Sequence, residues 1–127
     1  MNVVAGVIER GGRVLICQRR SGSHALKWEF PGGKVEPGEK PRDALARELR
    51  EELAIEAQIG DEMARYDVRY GDDPAIRLLF YRVTAFTGEP VNSEFERIVW
   101  ERPKKLPEYE FLEGDREFVR LLAGTTR

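Results

Sequence analysis

The chain of 127 residues contains one cysteine and one histidine. A lone thiol, Cys17, excludes an intrachain disulfide framework and any cysteine-cluster zinc site, and it fits a reducing compartment. An excess of one charge is missing too. The 21 Lys and Arg face 23 Asp and Glu, a formal net charge of −2. That balance excludes a basic nucleic-acid coat and an acidic tail, so any phosphate site has to be local. No stretch approaches the about 18 apolar residues of a membrane span. Residues 1–10 lack a basic segment followed by a long apolar one, so no signal peptide is expected. Internal repeats and low-complexity segments are lacking as well. The expectation is a cytoplasmic protein with no membrane and no stable nucleic-acid partner, either monomer or homodimer.

What is present is a globular composition, 41% hydrophobic and 35% charged. The length predicts one domain over residues 1–127, able to bury about two-thirds of its unfolded surface. Asn2 to Ile8 is short and β-branched-rich, Glu9 to Gly12 reads as a hairpin turn, and Val14 to Gln18 as its partner. Trp28 to Phe30 is a brief extended piece before Pro31, and Gly32 to Glu39 is a Gly/Pro-punctuated loop. Pro41 sits where a first helical turn tolerates proline, and Arg42 to Leu53 suits a helix throughout. Strands follow at Met63 to Tyr70 and Ala75 to Phe86, the latter apolar and central, and at Arg97 to Glu101. A last helix spans Asp115 to Ala123, with Gly124 as its stop. The fold class is α+β, a mixed sheet with one helix in the middle of the chain and one at its end.

The informative helix is Arg42 to Leu53. At about 100° per residue, Leu45, Leu49 and Leu53 form a stripe, and Glu52, Glu48 and Glu51 fall at about 340°, 300° and 240° beside it. Arg47 and Arg50 are expected on the other side. Glu48 and Glu52 stand at i, i+4, a repulsive pair that a helix shaped only for stability would replace with a cation. Converging carboxylates suit a hard divalent ion such as Mg²⁺, which keeps waters and phosphates in its shell. A solvated face is the plainer alternative.

From Gly33, five residues lead to Glu39 and seven more to Arg47-Glu48-Leu49-Arg50-Glu51-Glu52-Leu53-Ala54-Ile55. This resembles the Nudix box, Gly-x5-Glu-x7-Arg-Glu-U-x-Glu-Glu-x-Gly-U with U aliphatic. The one departure is Ala54 in place of glycine, at a helix end where left-handed geometry disfavours a Cβ. Lys27-Trp28-Glu29-Phe30-Pro31-Gly32-Gly33-Lys34 resembles the lead-in to the box in the MutT-like branch. The resemblance covers nearly the whole chain. It implies the Nudix fold, an α/β/α sandwich around a mixed sheet, and Mg²⁺-dependent hydrolysis of nucleoside triphosphates to monophosphate and pyrophosphate, with Mn²⁺ as a substitute ion. It also implies a branch that removes oxidised nucleotides such as 8-oxo-dGTP, with a sister group that prefers cytidine nucleotides.

The resemblance further implies site residues. Gly33 through its carbonyl, Glu48, Glu51 and Glu52 match the metal positions, with Glu48 and Glu52 catalytic. Glu39 and Arg47 match a supporting ion pair. Glu94 matches a distal acid that acts as an extra metal ligand or general base, with Glu96 its competitor. Arg20 and Lys34 match phosphate contacts, and surface cations are the alternative. Phe30 matches a wall against the base, and Asp115 a reader of its edge, with a helix N-cap as the alternative. Trp28 is assigned to packing, Cys17 to the core, and His24 to no role. Two other readings are a CTP or dCTP pyrophosphohydrolase and a non-catalytic nucleotide-sensing Nudix domain. The second usually lacks one or more box acids, and here all three are present.

Overall fold

The computed structural model describes residues 1–125. β1 (Asn2–Val7), β5 (Gly32–Lys34), β6 (Glu56–Val68) and β7 (Ile76–Thr87) form one mixed sheet in the order β5-β1-β7-β6. β1 runs parallel to β7 and antiparallel to β5. A second, antiparallel sheet is built on β3 (Arg13–Gln18), which pairs with β2 (Glu9–Arg10), β4 (Trp28–Glu29) and β8 (Arg97–Glu101). α1 (Pro41–Leu53) and α2 (Arg116–Thr125) complete the elements, with 3-10 turns at Pro103–Glu108 and Glu113–Asp115.

The period-2 alternation of the strands divides the core in two. Val4, Ile8, Leu15, Cys17, Leu79 and Tyr81 pack with Leu45, Leu49 and Leu53 of α1. Ala5, Val7, Ile16, Phe30 and Phe80 pack with Phe118, Val119 and Leu122 of α2. The two helices therefore cover the sheets from opposite sides. The three leucines of the α1 stripe are fully buried, each contributing about 1.5–3 kcal/mol. Cys17 is buried and free, as the lone thiol implies.

Four local expectations change. The turn of the first hairpin is Gly11–Gly12, at φ 59° and 76°, and Glu9–Arg10 already pairs as β2. Gly32–Lys34 is a strand against β1 rather than loop. β6 begins at Glu56, seven residues before Met63, and ends at Val68; its pairing with β7 shifts register three times. Such bulges break the strict alternation by which a strand is recognised. α2 runs through Gly124 to Thr125, so Gly124 is not a stop. A single exposed glycine costs a helix about 1 kcal/mol against alanine, and that does not end it.

Candidate active site

The site starts where β5 crosses α1. A Cβ on Gly33 would stand 2.4 Å from the carboxyl carbon of Glu48, and a Cβ on Gly32 would stand 1.9 Å from the Val4 carbonyl oxygen. Only backbone fits at either position, so the strand can press against the helix acids. One turn further along α1, Glu52 is 9% exposed. Its Oε1 accepts the Gly32 N–H at 3.0 Å. Burial first, and then the charge of Glu48, push the Glu52 carboxyl up to about 9; Glu29 and Glu94 add to this, and the Gly32 N–H opposes it. Glu48 is also raised, chiefly by burial and with help from Glu51 and Glu94, while Arg47 pulls it back.

Arg47 does not lie away from the acids. Its long side chain turns toward them, with Nε and Nη2 donating to Glu39 at 2.8 and 3.0 Å and Nη1 donating to Glu48 at 2.9 Å. It also reaches Glu51 at 3.4 Å and the Lys34 carbonyl at 3.2 Å. One guanidinium thus ties the Gly-rich segment to the helix. It holds the Glu39 carboxyl down to about 2, helped by the Glu36 N–H. Glu51 lies on this flank, half-exposed, while Glu48 and Glu52 face the glycines.

Glu94 is exposed on the loop before β8, and its charge reaches both Glu48 and Glu52. Glu96 instead stands 3.8 Å from Arg20. Arg20 lies two residues beyond the end of β3 and donates to the Phe95 carbonyl at 2.7 Å, so it holds the loop that carries Glu94. A cavity of about 360 Å³ opens beside Gly33 and Glu52, and Lys34, Phe30 and Asp115 line it. Arg20 is not among its lining residues. Phe30 is 3% exposed and stacks on Phe111 at 5.4 Å. Asp115, 4% exposed, directly precedes α2. Burial raises its carboxyl well above the usual range, and the Phe30 backbone N–H works the other way.

Sequence reasoning missed two wall residues, Arg19 and Glu29, which pair at 3.1 Å. The one available signal was alternation: Trp28 and Phe30 are buried toward α2, which sends Glu29 to the other face of the strand. His24 also reaches the cavity wall, its ring 5.1 Å from that of Tyr70. Trp28 is packing, edge-on to Tyr109.

Among the described residues, no three acidic, histidine or cysteine side chains converge as a ready-made metal cluster. The donor set nevertheless fits a hard divalent cation. The charges that raise Glu52 are all negative, and the glycine cradle leaves room for backbone and carboxylate oxygens together. The groups that could hold such an ion are the Gly33 carbonyl, Glu48 and Glu52, with Glu94 and Glu51 at the margin.

A family model described as the NUDIX domain matches residues 1–122. The chain is 42% identical over 116 residues to the CTP pyrophosphohydrolase of Escherichia coli, covering 91% of this chain and 85% of that protein. It is 34% identical over 128 residues to the 8-oxo-dGTP diphosphatase of Haemophilus influenzae, covering 99% and 93%. The solution structure of the Escherichia coli ORF135 protein matches with a TM-score of 0.85 at 40% identity, over 94% of this chain and 85% of that one. The likeness thus spans both sheets and both helices as well as the glutamate-bearing helix, and the chain belongs to the Nudix hydrolase family.

Proposed function

We propose that this protein hydrolyses nucleoside triphosphates to nucleoside monophosphate and pyrophosphate, with oxidised nucleotides such as 8-oxo-dGTP as its substrates. The observation that carries this reading is the Gly33–Glu48–Glu52 cradle opening on a cavity walled by Phe30 and Asp115. The ion is Mg²⁺, with Mn²⁺ as a substitute, held by the Gly33 carbonyl, Glu48, Glu51, Glu52 and Glu94. When bound, it neutralises phosphate charge and makes water a better nucleophile.

The chain's own groups do the rest. Glu52 accepts the Gly32 N–H and feels the charge of three further acids, so its charge state is poised to respond to a cation. Glu48 is fixed by Arg47 against Gly33. Glu94, exposed and close enough for its charge to reach both, takes the proton of the attacking water. Lys34 meets the phosphates from β5. Arg20 keeps the Glu94 loop in place from the Phe95 carbonyl and adds charge on that side. Phe30 offers a flat apolar wall to the base, and Asp115 a polar group directed at its edge. We place the protein in the cytoplasm, in keeping with its free buried thiol, as one Nudix domain without a nucleic-acid partner.

A second reading is a cytidine-nucleotide pyrophosphohydrolase, favoured by the 42% identity to a relative of that name. The test is incubation with Mg²⁺ and a panel of normal and oxidised nucleoside triphosphates. Pyrophosphate and monophosphate are the expected products. Orthophosphate as the first product would contradict the proposal, and the best base in the panel decides between the two readings.

A further inference from the structure

Tyr70 stands between two cavities. On one side is the cavity of about 360 Å³ beside Gly33 and Glu52; on the other is one of about 520 Å³ between the end of β6 and the start of α2. Val68 and Tyr70 line both, so these two side chains form the partition. The partition lies on the Asp115 side of the first cavity. Gly114, the residue before Asp115, lines the second cavity and donates its N–H to the Tyr70 hydroxyl at 2.9 Å. A Cβ on Gly114 would stand 2.4 Å from that hydroxyl oxygen, so only a glycine admits the approach. The Tyr70 ring also meets that of His24, with centroids 5.1 Å apart. The Tyr70 carbonyl accepts the Asp73 N–H at 3.0 Å, which closes the turn after β6. The second cavity has no free cation for a phosphate. Arg65 is engaged by Glu62 at 2.7 Å and Arg69 by the Asp73 carbonyl at 3.2 Å, while Glu113 and Glu117 add negative charge to its wall. What it offers is room.

We propose that Tyr70 sets the size limit of the base site: its ring closes the end of the nucleotide cavity behind the base, so that nucleoside triphosphates with a bare base edge are accepted and those with a bulky group on that edge are excluded. The inference rests on the nucleotide-hydrolase reading above, with Asp115 at the base edge. A substituent that points from that edge past Asp115 runs into the Tyr70 ring. It reaches the room behind only if the ring leaves, and leaving breaks the bond to Gly114 and unpairs an N–H in the turn that carries Asp115. Overfilling a packed wall is costly, and a clash rejects the wrong substrate without adding any attraction for the right one. Val68, the other partition residue, is too short to close the passage alone. Phe30 and Asp115 thus meet the face and the edge of the base, and Tyr70 decides how far the base can extend.

The test compares wild type with Tyr70→Ala, Tyr70→Leu, Tyr70→Phe and the Tyr70→Ala/Val68→Phe double variant. The substrates are the best amino-bearing triphosphate of the panel and its derivative with a benzyl group on the exocyclic amino group. The readout is the kcat/KM ratio of derivative to parent, with a melting curve for each variant. Wild type is expected to disfavour the derivative by about tenfold or more, and Tyr70→Ala to raise the ratio by about tenfold or more. Tyr70→Leu, which keeps an apolar side chain in the wall and guards against loss of the fold, raises it by a smaller factor. Tyr70→Phe keeps the ring and holds the ratio within about threefold of wild type, even where the lost bond to Gly114 lowers Tm. Val68→Phe returns bulk to the partition and reverses the gain of Tyr70→Ala. Three results each overturn the role of Tyr70: wild type that hydrolyses the derivative as readily as the parent, a ratio unchanged in Tyr70→Ala and Tyr70→Leu, or a gain that the double variant does not reverse. Pyrophosphate release by wild type leaves the hydrolase reading standing in all three. Wild-type protein that releases no pyrophosphate from any triphosphate overturns that reading, and the role of Tyr70 with it.

Discussion

Ala54 occupies the left-handed region at the end of α1, with φ 57° and ψ 34°. It stands where the Nudix box has glycine. Substituting glycine should therefore stabilise the protein. Left-handed geometry costs an L-residue about 1–2 kcal/mol. Glycine gives back about 0.4–1 kcal/mol through the greater freedom of its unfolded chain. Ala54 is exposed, so its methyl group contributes no burial to be lost. The net gain is about 0.5–1 kcal/mol, or about 2–5 °C in Tm for a chain of this size. Turnover should stay within about twofold of wild type. The helix end near the site is held by contacts independent of that methyl: the Glu52 carbonyl accepts the Ser93 hydroxyl at 3.1 Å, and the Leu53 carbonyl accepts the Val91 N–H at 2.9 Å. Thermal melting with steady-state kinetics on the same preparations is the assay. A lower Tm would refute the backbone argument, and a tenfold change in kcat would show that this helix end shapes the chemistry.

Glu52→Gln should lower turnover by at least about a hundredfold, the scale of losing a major electrostatic stabiliser, while the fold survives because an amide keeps the Gly32 contact and sheds the repulsion from Glu48. In metal-free wild type, the Glu52 carboxyl raised from 4.5 to about 9 contributes stability that is fully present below pH 4.5 and lost as pH rises through 9; Glu52→Gln should flatten that alkaline decline in Tm, and an unchanged slope would count against it. Gly33→Ala forces a methyl to within 2.4 Å of the Glu48 carboxyl carbon, and should cost about 1–3 kcal/mol by denaturant titration together with most of the activity; a wild-type variant would disprove the close approach. At the acid end, Glu39 is lowered from 4.5 to about 2, so the stability it contributes is present above pH 4.5 and lost as pH falls toward 2. Arg47→Met should remove that part of the acid limb in a pH series of melting curves, and persistence of the limb would assign it to other carboxylates.

Arg47 shows how a single side chain joins local pattern to assembled site. On a helical projection it is one more cation away from the metal arc. In the structure it joins Glu39, Glu48, Glu51 and the Lys34 carbonyl. Its loss would free Glu48 and loosen the glycine cradle in the same event, so stability and activity are coupled at this residue.

The segment from Gly33 to Ile55 carried its resemblance to the Nudix box in the sequence alone, and the approach of Gly33 to Glu48 and of Gly32 to Glu52 follows closely from it, because its parts lie on one strand, one turn and one helix. Short-range periodicity then fixes which acids share a face with Leu45, Leu49 and Leu53. The β-branched-rich run Asn2 to Ile8 and the long apolar run Ala75 to Phe86 were likewise legible as strands, the second as a central one. The start of β6 was beyond that reach, since its bulged pairing with β7 erases the period. So was the run of α2 through Gly124, which no local cost forbids. Only the tertiary structure brought Glu29, Arg19 and Asp115 to one cavity, from β4, the end of β3 and the start of α2. It separated Glu94 from Glu96 as well, by turning one toward the box acids and the other toward Arg20. The physical reason is range: a turn of helix or a pleat fixes neighbours a few residues apart, whereas burial and charge at Asp115 are set by groups more than eighty residues away in the chain.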